Sequence, residues 1–435
     1  MRLPCVLLAA ILLAAWSTAA SAATFSVDTT TLDAGDIDPG DGECAWATFP
    51  PVGERCTLRA AIMEANALPG PDRVVVPLGA TIVLDNAGRN EDAGALGDLD
   101  ITGPLEISTG GVSSPDASPT IDADGIDRVF DVHYSAGEVH LVNLHITGGA
   151  ANDATTYLGG GVRSNDPMLH VWYCEVAGNA ANAGGGLYIS HSLDMFGSDI
   201  HGNVATHLGF TNVDGSAIRD SDSGADPGDT VSIRASTIRT NLALGGPGSH
   251  AAVISRMPLL VENSTFSANA PNALYVYNTD ATLNHATITG SQVGFAFGGL
   301  TLAAESVLRN TIIAGNSVQD CSFNGSHATS HAYTLDGDGT CLLTFGPGNL
   351  LDADAGLRPL AVRFGRIPVH DLAAGSDAID SADPAFASAG GTCIEIDQDG
   401  VDRPIDGDGG GARCDMGAIE FFDAIFTDGF EPPPR

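Results

Sequence analysis

The sequence predicts an all-β fold, a right-handed parallel β-helix with a short N-terminal capping helix. Three observations predict it. One residue pattern recurs seven times between Val139 and Cys321, and asparagine fills one of its columns in five of the seven copies. Glycine is abundant, 54 of 435 residues, and aromatics are scarce at 6%, which suits many tight turns between short strands.

The elements follow in chain order. Residues 1–22 read as an export signal: Arg2 supplies the charge, Val6 to Ala15 the apolar stretch and Ala20-Ser21-Ala22 the small-residue cleavage site, so the mature chain is expected to start at Ala23. The stretch is too short to span a membrane. Residues 23–73 read as an N-terminal cap. Within it Thr57 to Leu68 is a helix: Leu58, Ile62 and Ala65 follow helical spacing and Pro69-Gly70 ends it. One apolar stripe on a short helix suits a lid over the open first coil, whose unpaired strand edges invite aggregation.

Residues 74–350 read as the β-helix. Val74 to Val76, Ile82 to Leu84, Leu99 to Ile107 and Val129 to Val132 give two or three irregular early coils. The repeat proper has Ile146, Val176, Ile200, Ile238, Phe266, Ile288 and Ile313 as anchors, 22 to 38 residues apart. Five positions before each anchor stand Leu141, Val171, Met195, Ile233, Val261, Leu283 and Leu308. Three positions after stand Gly149, Asn179, Asn203, Asn241, Asn269, Ser291 and Asn316. In a β-helix each strand lies about 4.8 Å from its counterpart in the next coil, so like residues stack and the apolar columns become a continuous core. Stacked asparagine amides can bond each other and the turn backbone, satisfying groups that burial would otherwise orphan. A small-residue column two positions before the anchor carries Cys174, which reads as a buried thiol packed like serine or alanine. A second strand follows in six coils, with Val162, Leu187, Ile218, Val253, Leu274 and Phe295 inward, and loops of varying length precede it. The expected solenoid has about nine to eleven coils and is roughly 45–50 Å long. Residues 351–422 read as a disulfide-stapled C-terminal region closing the far end, and 423–435 as a tail.

Export implies an oxidising compartment. Three local cysteine pairs are the natural staples: Cys44 with Cys56, Cys321 with Cys341, and Cys393 with Cys414. The formal charge is −36, from 54 acidic and 18 basic residues, all of the latter arginine. That balance excludes a nucleic-acid partner and disfavours anionic lipid. The lack of lysine excludes Schiff-base chemistry and a Walker-type phosphate loop.

Cys56 to Asn66, CTLRAAIMEAN, resembles the CSLREA motif of exported bacterial β-helix proteins, with Thr57 for the usual serine and Ala60 for the usual glutamate. Gly97 to Ile107 and Thr120 to Val132 resemble the same family. Ser376 to Phe386, Thr392 to Gly407 and Cys414 to Glu420 resemble the choice-of-anchor C-terminal region of similar proteins. The resemblance implies a pectate-lyase-like solenoid and a secreted or outer-surface location in a Gram-negative bacterium. It brings no activity with it.

Candidate sites are fewer than the fold signals. Polygalacturonase-like chemistry lacks support: Asn278-Thr279-Asp280 is present, but there is no Asp-Asp, no Gly-His-Gly, and Arg366-Ile367-Pro368 lacks the expected lysine. Asn278 to Asp280 is expected to be a turn. The outward column of the second strand is the binding candidate. It carries Arg163, Tyr188, Arg219 and Tyr275, with Arg256 and Tyr277 on the next outward positions. Tyrosine faces stack on sugar rings and arginine forks bond hydroxyls and carboxylates, although both residues are also ordinary on outward β positions. Asp397, Asp399 and Asp402 form D-x-D-G-x-D and are the candidate calcium ligands, calcium being the one candidate cofactor. Asp122, Asp124 and Asp127 repeat the pattern, and Asp/Gly is also plain turn chemistry. His327 and His331 have zinc-like spacing without accompanying cysteines or an HExxH context. The function expected is that of a non-catalytic, monomeric protein presenting a long face to polysaccharide or to another cell; the alternative is a polysaccharide lyase or glycoside hydrolase.

Overall fold

The computed structural model describes residues 22–48, 55–89, 91–111, 117–151, 157–165, 168–206, 215–221, 226–244, 251–298, 306–324, 330–343, 345–363, 367–406 and 411–422. The export signal but for its last residue, the tail, His327, Arg366 and most of the variable loops lie outside the described residues.

Every coil is built on parallel pairing. A long sheet of 20 strands, a second of nine and a short one of four run along the molecule. A typical coil gives the long sheet two strands, such as Met168–Trp172 and Glu175–Ala177. It gives the short sheet Ala180–Ala181 and the second sheet Leu187–Ile189. Parallel strands joined by a crossover coil to the right, and the fold is a right-handed parallel β-helix.

The register is the one the columns require. Ile82, Ile121, Ile146, Val176, Ile200, Ile238, Phe266, Ile288 and Ile313 pair one above another, all buried. In the second sheet the inward column runs Leu99, Phe130, Val162, Leu187, Ile218, Val253 and Leu274, and the pairing continues in register through Phe295 to the buried Cys321. The asparagines form the expected ladder: Asn179 Nδ2 donates to Asn203 Oδ1 at 3.0 Å, and Asn203 to Asn241 and Asn241 to Asn269 at 3.1 Å each. Each amide also donates to the carbonyl of an anchor in the coil before, as Asn241 does to Ile200 at 2.9 Å. A second ladder stands beside it. Ser198 Oγ accepts from Cys174 N–H, Ser236 Oγ from Ser198 N–H and Ser264 Oγ from Ser236 N–H, at 3.0 to 3.2 Å. Cys174 is buried among these groups, and its thiol donates to the Leu141 and Trp172 carbonyls.

The corner between the two long-sheet strands is a single left-handed residue three positions before each anchor: Asn143, Tyr173, Gly197, Ala235, Asn263, His285 and Asn310, with φ from 44 to 59°. Four of the seven are glycine or asparagine, the usual residues of this conformation; Tyr173, Ala235 and His285 depart from that preference, and there the stacked coils on either side hold the backbone.

The helix spans Leu58–Ala67, with Thr57 at its N-cap accepting from Ala60 N–H at 3.0 Å. Leu58, Ile62 and Ala65 face the first coils as expected. The opposite side is buried too, because residues of the preceding segment fold over it. Arg59 bonds Asp33 at 2.6 Å and the carbonyls of Gly94, Gly97 and Asp98, and Glu64 takes the N–H groups of Gly40 and Gly42. Asn66 joins Asp100 O and Thr102 N–H of the first coil. Arg59, Glu64 and Asn66 are thus interior struts.

All three expected disulfides are present: Cys44–Cys56, Cys321–Cys341 and Cys393–Cys414. The C-terminal region departs from expectation. It does not simply close the far end but runs back along the flank of the later coils. Gln398 bonds Thr237 and Thr265, His370 bonds Ser267, and Thr392 O accepts from Asn284 and Asn310. Outward threonines and the corner residues supply the polar partners that an irregular segment without a sheet of its own requires. Its core is a buried Arg403–Glu420 pair at 2.9 Å.

Candidate functional site

The outward column of the second sheet is in register and longer than the sequence suggested. It runs Asp100, Asp131, Arg163, Tyr188, Arg219, Ile254 and Tyr275. Tyr188 and Tyr275 are half-buried, Tyr277 is exposed and stacks on Tyr275 at 6.3 Å, and the Arg256 guanidinium lies 5.1 Å from the Tyr277 ring centre. The column is not a continuous open strip. Arg219 is buried against Asp220, Ile254 is buried, and Arg163 is bound to Asp131 through Nε at 2.7 Å. Alternation along a strand identifies the outward face but not what covers it.

At its N-terminal end the column runs into a closed nest of charge. Arg128 bridges Asp98 at 2.7 Å and Asp131 at 2.9 Å, and His133 Nε2 meets Asp100 at 2.8 Å. Burial pushes the Asp98 carboxyl up to about 8 against the opposing pull of Arg128. Burial also raises Asp100, and the bond to Asp100 raises His133. A carboxyl kept protonated beside an ionised one is what an acid catalyst needs. Here, however, Asp98, Asp100, Asp131 and Arg128 are each at most 3% exposed. The strand-preceding segment Gly94 to Asp98, pinned by Arg59, closes over them. No polymer reaches these groups, and Arg128 and Arg163 supply their counter-charge. The nest is structural.

The open chemistry lies on the long sheet. His140, His170 and Asp194 form one outward column, and Trp172, Phe196 and Arg234 form the next. Asp194 is the hub. Its Oδ2 takes Trp172 Nε1 at 3.1 Å and faces His170 Nδ1 at 3.2 Å, while Oδ1 takes Arg234 at 2.5 Å. Burial works to raise the Asp194 carboxyl, but Arg234, Trp172 and His170 outweigh it and hold it below the usual range. His140 and His170 stack at 4.1 Å, 6° from parallel, and both rest on Glu138 Oε1, at 3.1 and 3.0 Å. The edge of Trp172 meets both imidazoles, Tyr173 meets Phe196 edge-on at 5.4 Å, and Arg234 lies over Phe196. Two His and a Glu this close suggest a transition metal, but parallel stacked rings aim their lone pairs side by side and cannot share one ion in both ring planes. The group is a hydrogen-bonded platform.

Solved structures give the comparison. The chain is similar to a pectate lyase at 12% identity, covering 91% of this chain and 98% of that one, with a TM-score of 0.43. It is also similar to the A-module of a mannuronan C-5 epimerase from Azotobacter vinelandii at 15% identity, covering 75% of this chain and 93% of that one, with a TM-score of 0.36. No family model and no curated protein matches the chain.

The remaining sequence candidates resolve into ordinary chemistry. Asp397 and Asp399 face Arg363 at 3.3 Å, Asp397 also takes the N–H groups of Asp399, Val401 and Glu420, and Asp402 is exposed. Asp397, Asp399 and Asp402 therefore do not gather as a calcium cage among the described residues: the Arg363 guanidinium faces the first two, backbone donors also hold Asp397, and Asp402 is exposed. Asp122 caps its own turn through Asp124 N–H. Asn278 to Asp280 is a turn, with Asn278 at φ 55°. His331 Nδ1 meets the Asn349 amide at 2.8 Å. The long-sheet platform escapes the sequence reading because only the inward columns of that sheet were aligned. Its signal is plain once the outward columns of the long sheet are tabulated: His140, His170 and Asp194 recur six positions before the anchor, and Glu106 pairs with His140 in the coil before.

Proposed function

We propose that this protein is an exported, non-catalytic β-helix that binds extended polysaccharide or a glycan-coated surface along the outward face of its long sheet. The observation that carries the reading is the Trp172–His170–Asp194–Arg234 cluster. It offers an aromatic edge and face beside fixed donors and acceptors on three successive coils, the combination that holds a sugar ring by stacking and by its hydroxyls. Tyr188, Tyr275, Tyr277 and Arg256 give a second contact strip, with Arg163 and Arg219 as its braces. The charge of −36 favours neutral over acidic glycans, because a polyanion is repelled unless cations bridge it. Three disulfides and the signal-like N-terminus support export. The CSLREA-like and choice-of-anchor-like segments support placement at a Gram-negative outer surface. Among the described residues no helix is long and apolar enough to cross a membrane.

The test is retention of purified mature protein on neutral and acidic polysaccharides, with and without calcium. We expect retention without cleavage, weakened about tenfold or more by Trp172→Ala or Arg234→Ala, a loss of about 1.4 kcal/mol or more. Loss on Tyr188→Ala with Tyr275→Ala would move the contact to the second strip. New reducing or unsaturated ends would replace this reading with the lyase or hydrolase one, and no retention on any glycan would overturn it.

A further inference from the structure

Near its C-terminal end the solenoid breaks two of its own rules. Asp336 pairs with Ile313 and so stands in the anchor column, fully buried, where the coils before it carry Ile, Val or Phe. Asp320 ends the asparagine ladder: its Oδ1 takes the backbone N–H of Asn316 at 3.1 Å and the side-chain amide at 2.9 Å, in place of the asparagine that the next coil would supply. Its other oxygen, Oδ2, is buried and has no hydrogen-bond partner. That oxygen points at Gly337, where a Cβ would come within 2.9 Å of it. Gly337 separates Asp336 from Asp338, and Asp338 Oδ2 accepts from Asp320 N–H at 3.1 Å. Ligand oxygens of the three carboxylates lie within 4.8 Å of one another.

We propose that Asp320, Asp336 and Asp338 bind a calcium ion that caps the C-terminal end of the asparagine ladder. The three carry no salt bridge among the described residues, unlike the Asp98 nest with its arginines and Asp194 with Arg234. Burial raises Asp320 and pushes Asp336 up to about 6, with Asp338 a like-charged neighbour of both and Asp320 a like-charged neighbour of Asp336. Buried carboxylates without a counter-charge are costly, and a hard cation offsets that cost directly. The donors are all oxygen, which selects calcium over zinc. The nearby thiols of Cys321 and Cys341 are tied in their disulfide and offer no soft ligand. The disulfide, which starts one residue after Asp320, holds the strand and the Asp336–Asp338 loop at a fixed separation, so the ion meets a formed site.

The test is calorimetric titration of EDTA-treated full-length mature protein with calcium chloride, alongside its melting temperature. One site is expected, with affinity in the range of extracellular calcium modules, roughly 10⁻⁴–10⁻³ M, and a melting temperature that rises with calcium. Asp338 is exposed, so Asp338→Asn keeps the fold and the Asp320 contact yet is expected to weaken binding at least tenfold. Asp336→Asn is expected to abolish binding, and Asp397→Asn to leave it unchanged. No calcium heat with the wild-type protein, or binding indifferent to Asp338→Asn, overturns the proposal.

Discussion

Single residues carry more of this fold than their surface appearance suggests. Arg59 lies on the side of the helix that spacing alone assigns to solvent, yet it is buried, ion-paired and bonded to three carbonyls. Arg59→Met removes one partner of a closed pair and is expected to destabilise by about 3–5 kcal/mol, read by urea unfolding. Asp98 gives the converse case. Its folded value of about 8 lies above the ordinary 3.8, so its favourable contribution is complete below about 3.8 and is lost as pH rises through about 8. Asp98→Asn removes this titration. The melting temperature of the wild type should therefore fall relative to the variant between about pH 4 and about pH 8, and parallel curves would contradict the assignment. At this scale the sequence was only partly readable. Tyr188, Tyr275 and Tyr277 sit where alternation put them, but Arg219 is interior and lies against the Asp220 carboxylate, and period-two patterning carries no record of enclosure.

Among elements, the strands were the most legible and the corners the least. Anchors from Ile146 to Ile313 stack as their columns require, because like-on-like burial is a strong and repeated constraint. The left-handed corners were missed because Tyr173, Ala235 and His285 interrupt the Gly/Asn signature that marks such a conformation. The serine ladder looked like mere small-residue packing for a similar reason: a hydroxyl and a methyl occupy the same space, and only the register reveals the bond. The asparagine ladder was read correctly, and its cooperativity is testable. Asn241 accepts from Asn203 and donates to Asn269, Ile200 and Arg239. Asn241→Ala orphans groups on both sides and is expected to cost about 2–4 kcal/mol in chemical unfolding, far more than an exposed asparagine would.

For the whole molecule, composition and repeat fixed the architecture, while the place of the C-terminal region was invisible beforehand. Its contacts with Thr237, Thr265 and Asn310 join residues more than 70 apart in sequence, and no local pattern encodes such docking. Yet that docking changes how the rod comes apart. A stack held only by nearest neighbours unzips rung by rung from a free end. Here one segment straps rungs from Thr237 to Asn310 together, so these must open as a block, while those from Ile146 to Ile200 remain free to fray in sequence. Native-state amide exchange should accordingly divide the rod into a strapped half with one common opening energy and an unstrapped half with a gradient, and Gln398→Ala should erode the boundary between them.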